Sequence, residues 1–447
     1  MDTKENINNY RPISLLTSLS KLLEKIVYSR LLDFLNIHSI ISNSQFGFRQ
    51  KHNTSHAILT FIEKITKAID KSYHTVGVFL DLSKAFDTID HDILLKKLYH
   101  YGIRGKALEW FSSYLTNRKQ FVSINGHCSS QQDLDCGVPQ GSLLGPLLFI
   151  IYINDILYSS KILNFVLFAD DSNVLLSHPD PDTLVNTLII ELEKLLHWIR
   201  ANKLSLNLDK TKCMIFSNSI DRLPMNIVLD GKVLEVVSTM KFLGLTIDNK
   251  LSWKPHIDNV CRTISQNIGL INKVKYYFPK PTLLMLYSSL ILPYLNYGVI
   301  AWGHTHSTYL DRILLLQKKA LRIICHTSWK AHTDVLFCEN NILKINDLFR
   351  HHLGQFMFKL ENKALPSIFY DMFKKNNTIH KYPTRHSNEF HLPRTRTILN
   401  QSIFTSVGPK FWNSLDKDII SAPSIASFKK RLKLFLLAPY KDSPPNQ

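Results

Sequence analysis

Residues 162–177, ILNFVLFADDSNVLLS, set two adjacent aspartates, Asp170 and Asp171, between two apolar runs. That pattern predicts a strand-turn-strand hairpin with acids at its tip. A second carboxylate-ended strand stands 89 residues earlier, counting from Asp81 to Asp170. Val76, Val78 and Leu80 alternate with Gly77, Phe79 and Asp81, a two-residue period that predicts a strand over His74–Leu82. Taken singly, each acid also fits an ordinary turn or a hairpin tip facing solvent. Taken together, carboxylates converging on one point repel unless cations lie between them. Two divalent metals about 3.5–4 Å apart remove that repulsion and stabilise the entering and leaving oxygens of an in-line phosphoryl transfer.

Between the acids lies GVPQGSLLGPLLFIIYINDI, residues 137–156. Gly137, Gly141, Gly145, Pro139 and Pro146 shape a loop whose backbone can approach a ligand closely, and an apolar helix follows at once. The same stretch also reads as a plain junction between a loop and a core helix.

The remaining pattern is mixed. Apolar residues at helical spacing predict helices over 13–37 and 55–70, and helices follow around 91–101 and 105–116. Asp180–Pro181 supplies an N-cap and a first-turn proline to a helix with Leu184, Leu188, Leu192, Leu195 and Ile199 on one stripe. LSLNLDKTKCMIFS returns to strand, and IVLDGKVLEV predicts a hairpin on the Asp230–Gly231 turn. From about Pro255 the chain reads as helical, so the expected class is α+β with its sheet in the first part.

At 447 residues, the chain has roughly three domains' worth of length. Its 45% hydrophobic content excludes a disordered chain. Lys+Arg 54 against Asp+Glu 36 leaves a net charge of +18, which points to a polyanionic partner. Half of that excess falls in residues 374–447, where 13 basic and 4 acidic residues leave +9 and Lys429, Lys430 and Arg431 are consecutive. Such a run is either a solvated helix face or a phosphate-contacting surface. The six cysteines form no C-x-x-C pair, and MDTKENINNYRPISLL lacks the apolar core of a signal peptide, so a reduced intracellular protein is expected. Cys325, His326, His332 and Cys338 fit no zinc-finger spacing and read as core thiols and surface imidazoles. Thr282–Leu310 carries no acidic or lysine/arginine residue, but Pro293 interrupts it, which favours a broken buried helix over a membrane span.

The segments NYRPISLL (9–16), QFGFRQKHNTSHAI (45–58), FLDLSKAFDTIDH (79–91), GVPQGSLLGPLLFIIYINDI (137–156), FADD (168–171), LNLDKTKCMIFS (206–217) and FLGLTID (242–248) stand in an order that resembles the motif series of reverse transcriptases, in particular those of LINE-type, non-LTR retrotransposons. YLNYGVIAWG (294–303) and TRTILNQSIFTSVGPKFWNSL (395–415) are similar to C-terminal parts of jockey-like elements. The resemblance implies an RNA-directed DNA polymerase that extends a DNA primer with dNTPs on an RNA template, with no membrane and no small-molecule cofactor, acting in the nucleus.

By the same resemblance, Asp81 and Asp170 would ligate two magnesium ions, or manganese, with the Leu82 carbonyl, and Asp171 would support the site. Phe86 would lie under the nucleotide's 2′ position, Gln140 and Gly141 along the nucleotide and template, and Arg11 on its phosphates. Lys212 matches the lysine that helps pyrophosphate leave, Phe242, Leu243 and Gly244 the primer grip, and Arg49 a template contact.

The implied fold is a right-hand polymerase with an antiparallel palm sheet: fingers over 1–73, palm over 74–255 with a finger segment near 100–135, helical thumb over 256–373, and a basic C-terminal region over 374–447. Only MDTKENI precedes Asn8, where the family has a further strand and a phosphate-contacting lysine, so the expectation is an N-terminally truncated fragment with weak polymerisation. The alternatives are a catalytically inactive nucleic-acid-binding remnant and a metal-dependent nuclease.

Overall fold

The computed structural model describes residues 13–217, 226–379 and 385–441. The alternation in residues 74–82 becomes β1 (His74–Leu80), and both of its faces are buried, Phe79 as well as Val76 and Val78. A strand covered on both faces belongs to a sheet packed on both sides. With β6 (Asn164–Phe168), β7 (Asp171–His178), β8 (Lys212–Phe216) and β11 (Glu235–Val236), the sheet has the order β11-β8-β1-β7-β6, and β1 is central.

Strands β6 and β7 form the expected hairpin, paired antiparallel from Asn164↔Leu175 to Phe168↔Asp171, which leaves Ala169 and Asp170 as its two-residue turn. The chain passes from β1 to β6 through α3 (His91–His100), α4 (Lys106–Leu115) and α5 (Gly145–Ile153), and β7 then inserts between the two strands. Strand β7, the second strand of the hairpin, thus lies between β1 and β6. Strand β1, which leads into Asp81, and β7, which opens on Asp171, are therefore neighbours in the sheet. Two short antiparallel pairs lie between α4 and α5: β2 (Lys119–Gln120) with β5 (Gln132–Asp133), and β3 (Ser123–Ile124) with β4 (His127–Cys128).

Local rules account for much of this unit, which comprises Met1–His52, Val76–Cys213 and Asp221–Val236. Helix α5 is apolar on every side and buried throughout Leu147–Ile153, as a core helix must be. Helix α6 (Pro181–Ala201) begins on Asp180, whose carboxylate accepts from the Thr183 N–H at 2.8 Å, and its leucine stripe is buried. Strands β9 (Val228–Leu229) and β10 (Lys232–Val233) pair across Asp230 and Gly231, both at positive φ, the geometry of a primed turn. Helix α1 (Ser18–Ile37) starts later than its periodicity suggests, at an N-cap on Thr17.

The second unit comprises Asn53–Thr75, Met214–Ile220 and Val237–Gln447. It holds α2 (Thr54–Asp70), the hairpin β12 (Thr239–Phe242) and β13 (Leu245–Asp248), and helices α7 (Lys254–Val274) to α18. Helix α7 packs along α11 (Ser307–Ile324). The uncharged stretch breaks into α8 (Lys280–Leu290), α9 (Leu292–Asn296) and α10 (Val299–Trp302), with Pro293 in the first turn of α9 and Gly298 left-handed before α10. Proline cannot continue the preceding ladder, and no helix among the described residues is long and apolar enough to cross a membrane. Helices α12 (Asp334–Glu339) and α13 (Ile345–Glu361) follow, and later α14 (Asn376–Ile379), α15 (Ile398–Ser402), α16 (Phe404–Asn413), α17 (Lys417–Ile420) and α18 (Ile425–Leu437).

The basic C-terminal stretch is not a detached tail. Helices α16 and α18 pack on α13, burying Phe404, Phe428 and Leu432, with the Phe428 ring stacked 4.5 Å from Phe358. Phe428→Ala is expected to lower stability by roughly 3–5 kcal/mol, read by urea denaturation of the whole chain. Cys325 and Cys338 are half-buried, not core, and Cys325 Sγ accepts from Asn340 Nδ2 at 3.5 Å. Among the described residues no group of three or more His, Cys, Asp or Glu side chains is arranged to hold a metal.

Candidate active site

Asp81 is the first residue beyond β1, and its backbone is tied down on one side. Its N–H donates to Thr211 Oγ1 at 3.3 Å and its carbonyl accepts from the Asn207 N–H at 2.9 Å, while the Ser83 N–H reaches the Ser205 carbonyl at 2.8 Å. These bonds flank an antiparallel bridge of Leu82 with Leu206. In such a pair the bridged residues themselves exchange no hydrogen bonds, so the ladder uses the Asp81 carbonyl and leaves that of Leu82 unused on this side.

Asp170 occupies the β6–β7 turn and Asp171 opens β7. Asp81 and Asp170 are half-buried and Asp171 is exposed. Among the described residues, neither the Asp81 nor the Asp170 carboxylate has a cationic partner. Strands β1 and β7 are sheet neighbours, so Asp81, just beyond β1, and Asp170, just before β7, flank adjacent strands. Two carboxylates and a free carbonyl are hard oxygen donors. Magnesium is commonly held by one or two carboxylates completed by substrate phosphates and water, with no all-protein cage, so this donor set fits it.

The turn under Asp170 is strained and braced. Ala169 has φ 55°, a left-handed conformation that alanine resists. Buried Gln45 holds it: its Oε1 accepts from the N–H groups of Ala169 at 3.0 Å and Gly47 at 2.8 Å. Residues 44–46 also pair with the end of β6, through Phe46 N–H to the Leu167 carbonyl at 2.8 Å and Leu167 N–H to the Ser44 carbonyl at 2.9 Å. A Cβ on Gly47 would drive into the Ala169 backbone nitrogen, which cannot yield as a side chain can. Gly47→Ala is expected to cost roughly 1–3 kcal/mol in chemical denaturation, with displacement of the Asp170 turn.

The loop before α5 is built in the same way. Gly137 (φ 83°) donates to the Ile89 carbonyl at 2.7 Å, and His91 Nε2 donates to the Gly137 carbonyl at 2.8 Å. Any Cβ at Gly137 would lie 2.7 Å from the Asp87 carbonyl oxygen. Val138 N–H donates to the Phe86 carbonyl at 3.0 Å, and the Gln140 side-chain amide donates to Asp87 Oδ1 at 2.9 Å. Phe86, Gln140 and Gly141 thus stand on two segments that are hydrogen-bonded together. The Phe86 ring is half-buried and packs on Phe149 of α5 with centroids 4.5 Å apart. Gly141 is exposed, and the Gln140 carbonyl accepts from the Ser14 N–H at 2.7 Å.

Glu24 was not singled out by its position in an amphipathic helix, yet it holds this loop from the far side. Its carboxylate, 1% exposed, accepts from the Leu143 N–H at 2.7 Å and from the Tyr114 hydroxyl at 2.9 Å. Burial, together with that carboxylate, raises the Tyr114 phenol above its ordinary range. The one available signal was a glutamate among the apolar positions of α1. Gln45 was likewise missed as a bracing residue, although it opens the QFGFR segment.

Lys212 opens β8 and pairs with Glu235, its register partner on β11, at 3.0 Å. Arg49 donates to the carbonyls of Ser42 at 2.6 Å and Gln45 at 3.1 Å, and burial lowers its pKa. It closes its own loop. Phe242, Leu243 and Gly244 belong to the second unit, where Leu243 (φ 43°) and Gly244 (φ 84°) make a primed turn and the Tyr297 hydroxyl donates to the Leu243 carbonyl at 2.6 Å. Arg11 lies outside the described residues.

Comparison with known proteins bears on the family. A family profile for reverse transcriptase (RNA-dependent DNA polymerase) matches residues 3–247. The RNA-directed DNA polymerase from mobile element jockey of Drosophila melanogaster is 27% identical over 376 residues, covering 80% of this chain and 40% of that protein. The probable RNA-directed DNA polymerase from transposon BS of the same species is 29% identical over 377 residues, with the same coverage of 80% and 40%. The chain therefore spans about two fifths of the length of these curated relatives. Among solved structures, telomerase from Candida albicans is similar at a TM-score of 0.38 and 12% identity, over 72% of this chain and 56% of that one.

Proposed function

The chain belongs to the reverse transcriptase (RNA-dependent DNA polymerase) family, and from that premise we propose that it extends a DNA primer with dNTPs copied from an RNA template. The observation that carries the proposal is the pair of half-buried carboxylates, Asp81 just after β1 and Asp170 just before β7, two neighbouring strands of one sheet, without cationic partners among the described residues. A structural acid pair would be neutralised by lysine or arginine, whereas one left open suits divalent cations.

Asp81 and Asp170, with the Leu82 carbonyl, would hold two magnesium ions, or manganese in their place, and Asp171 would support them. Bound there, the ions would supply charge neutralisation at the α-phosphate and a more acidic primer hydroxyl. The side chains do the positioning. Phe86 presents a ring face where the sugar lies, and Gln140 with Gly141 offers an amide and exposed backbone along the nucleotide. Lys212 is held by Glu235 in a partly exposed pair, a class worth only about 0–1 kcal/mol, so a triphosphate competes for it readily. Leu243 and Gly244 form the turn assigned to the primer end, and Arg11 is assigned to the phosphates. Arg49 is assigned to the template side, and its bonds to the Ser42 and Gln45 carbonyls give it a bracing part there as well.

In this scheme residues 1–73 serve as fingers, 74–255 as palm with a finger segment near 100–135, 256–373 as thumb and 374–447 as a basic region for nucleic acid. Reaching chromosomal DNA requires action in the nucleus. A primer-extension assay on an RNA template tests the reading: a polymerase lengthens the labelled primer, a nuclease shortens it, and a binding remnant leaves it unchanged. Unchanged primer under magnesium and under manganese, with the RNA bound, would replace this proposal with the remnant reading.

A further inference from the structure

The helical unit contains a cleft of roughly 400 Å³ walled by α8, α9, α13 and α18. Its polar lining includes Ser288, Asn296, His351, His352, Lys429 and Lys433, and no aspartate or glutamate lines it. We propose that this cleft is a phosphate-binding site, separate from the polymerase centre and independent of the reading of that centre.

Two lysines of α18 and two imidazoles of α13 line the cleft, and Lys359 on α13 lies near enough to Lys429 to be affected by it. Gathering cationic groups without an acid is unfavourable, and an anion turns the same arrangement into a favourable one. Lys429 belongs to the Lys429-Lys430-Arg431 run of the basic C-terminal region. Helix α18 buries Phe428 and Leu432 against the core, and this anchors the helix that carries Lys429 and Lys433.

The imidazoles are held in position. His351 Nε2 donates to the Lys429 carbonyl at 3.2 Å and its Nδ1 accepts from Gln355 Nε2 at 2.9 Å, so both ring nitrogens are committed. His352 Nε2 donates to Asn296 Oδ1 at 3.1 Å, which leaves Nδ1 as the position that takes up a proton. Burial first, then the positive charge of His351, Lys429 and Lys359, pushes the His352 pKa down to about 4. His351 and Lys433 are lowered as well, chiefly by burial. From α8 the titratable group is Tyr287, pushed up to about 12, and the lining residues from α9 and from 340–343 carry no charge. A bound phosphate reverses the sign of the field at His352. Its pKa then rises, and the ligand binds more tightly as the pH falls.

The phosphate can belong to a nucleic-acid backbone or to a free phosphate compound, and one experiment separates the two. The full chain, labelled with 15N-histidine, is titrated with pH by NMR in chloride, in sodium pyrophosphate and with a short oligothymidylate at matched ionic strength. The His352 resonance, assigned with His352→Asn, is expected to move up by about one pH unit or more with a ligand of this site, equivalent to about tenfold tighter binding to the protonated form. A shift with oligothymidylate identifies a strand phosphate, and a shift with pyrophosphate alone identifies a free one. The shift should vanish in the Lys429→Gln, Lys433→Gln double variant. No shift with either probe, or a shift that survives the double substitution, overturns the site.

Discussion

Replacing Asp81 or Asp170 with alanine is expected to reduce primer extension by roughly a thousandfold or more while leaving RNA affinity nearly unchanged. The reason is the division of labour between holding metal and holding nucleic acid. Divalent ions contribute several kcal/mol of transition-state stabilisation, and each 1.36 kcal/mol is about tenfold in rate. Losing one of two carboxylate ligands therefore removes about three decades. Stability should behave in the opposite sense to an ordinary buried-polar deletion. Neither carboxylate has a cationic partner among the described residues, so its removal orphans no cation and relieves repulsion. Melting in the presence of a chelator is expected to be unchanged or slightly raised in both variants. Single-turnover extension checks the first statement, and a variant retaining more than about a tenth of the wild-type rate would end the two-metal assignment.

Phe86→Val is expected to raise rNTP use relative to dNTP use by at least about tenfold in kcat/KM. The ring packs on Phe149 at 4.5 Å, and its backbone carbonyl is pinned by the Val138 N–H, so the side chain projects from a fixed base. It is also half-buried, not enclosed. A fully enclosed phenylalanine loses roughly 3–5 kcal/mol on truncation to alanine and would impair every nucleotide alike. A ring that forms a wall acts by clash with a 2′-hydroxyl, and trimming it relaxes selection more than it slows dNTP turnover. Paired measurements of rUTP and dTTP incorporation with the same primer and template distinguish the two. An unchanged ratio in an active variant assigns Phe86 to packing.

The parts of the site that were legible in the chain are those governed by short-range rules. The hairpin around Asp170, the strand before Asp81, the loop ahead of α5, the Asp180 cap and the Asp230–Gly231 turn each depend on a few consecutive residues whose period, capping or turn chemistry admits one solution. The order of motifs carried the family. The supporting contacts were not legible, because their partners are distant in sequence. Gln45 reaches Ala169 across 124 positions and Glu24 reaches Leu143 across 119. Neither distance leaves a periodic trace.

What the sequence determined by itself, then, is the type and order of the elements and the acids they end on, since backbone sterics and hydrophobic period act locally. Tertiary structure alone decided how those acids are supported and which charged residues remain free. Arg49, read as a template contact, spends its guanidinium on the Ser42 and Gln45 carbonyls, and Lys212 faces Glu235 because the β8–β11 register sets them opposite each other. The basic C-terminal stretch became part of the core of its unit for a similar reason. Its charge pattern marks only the positions of α18 outside the core, whereas Phe428 and Leu432 are buried against α13, and that burial depends on a surface the local sequence does not contain.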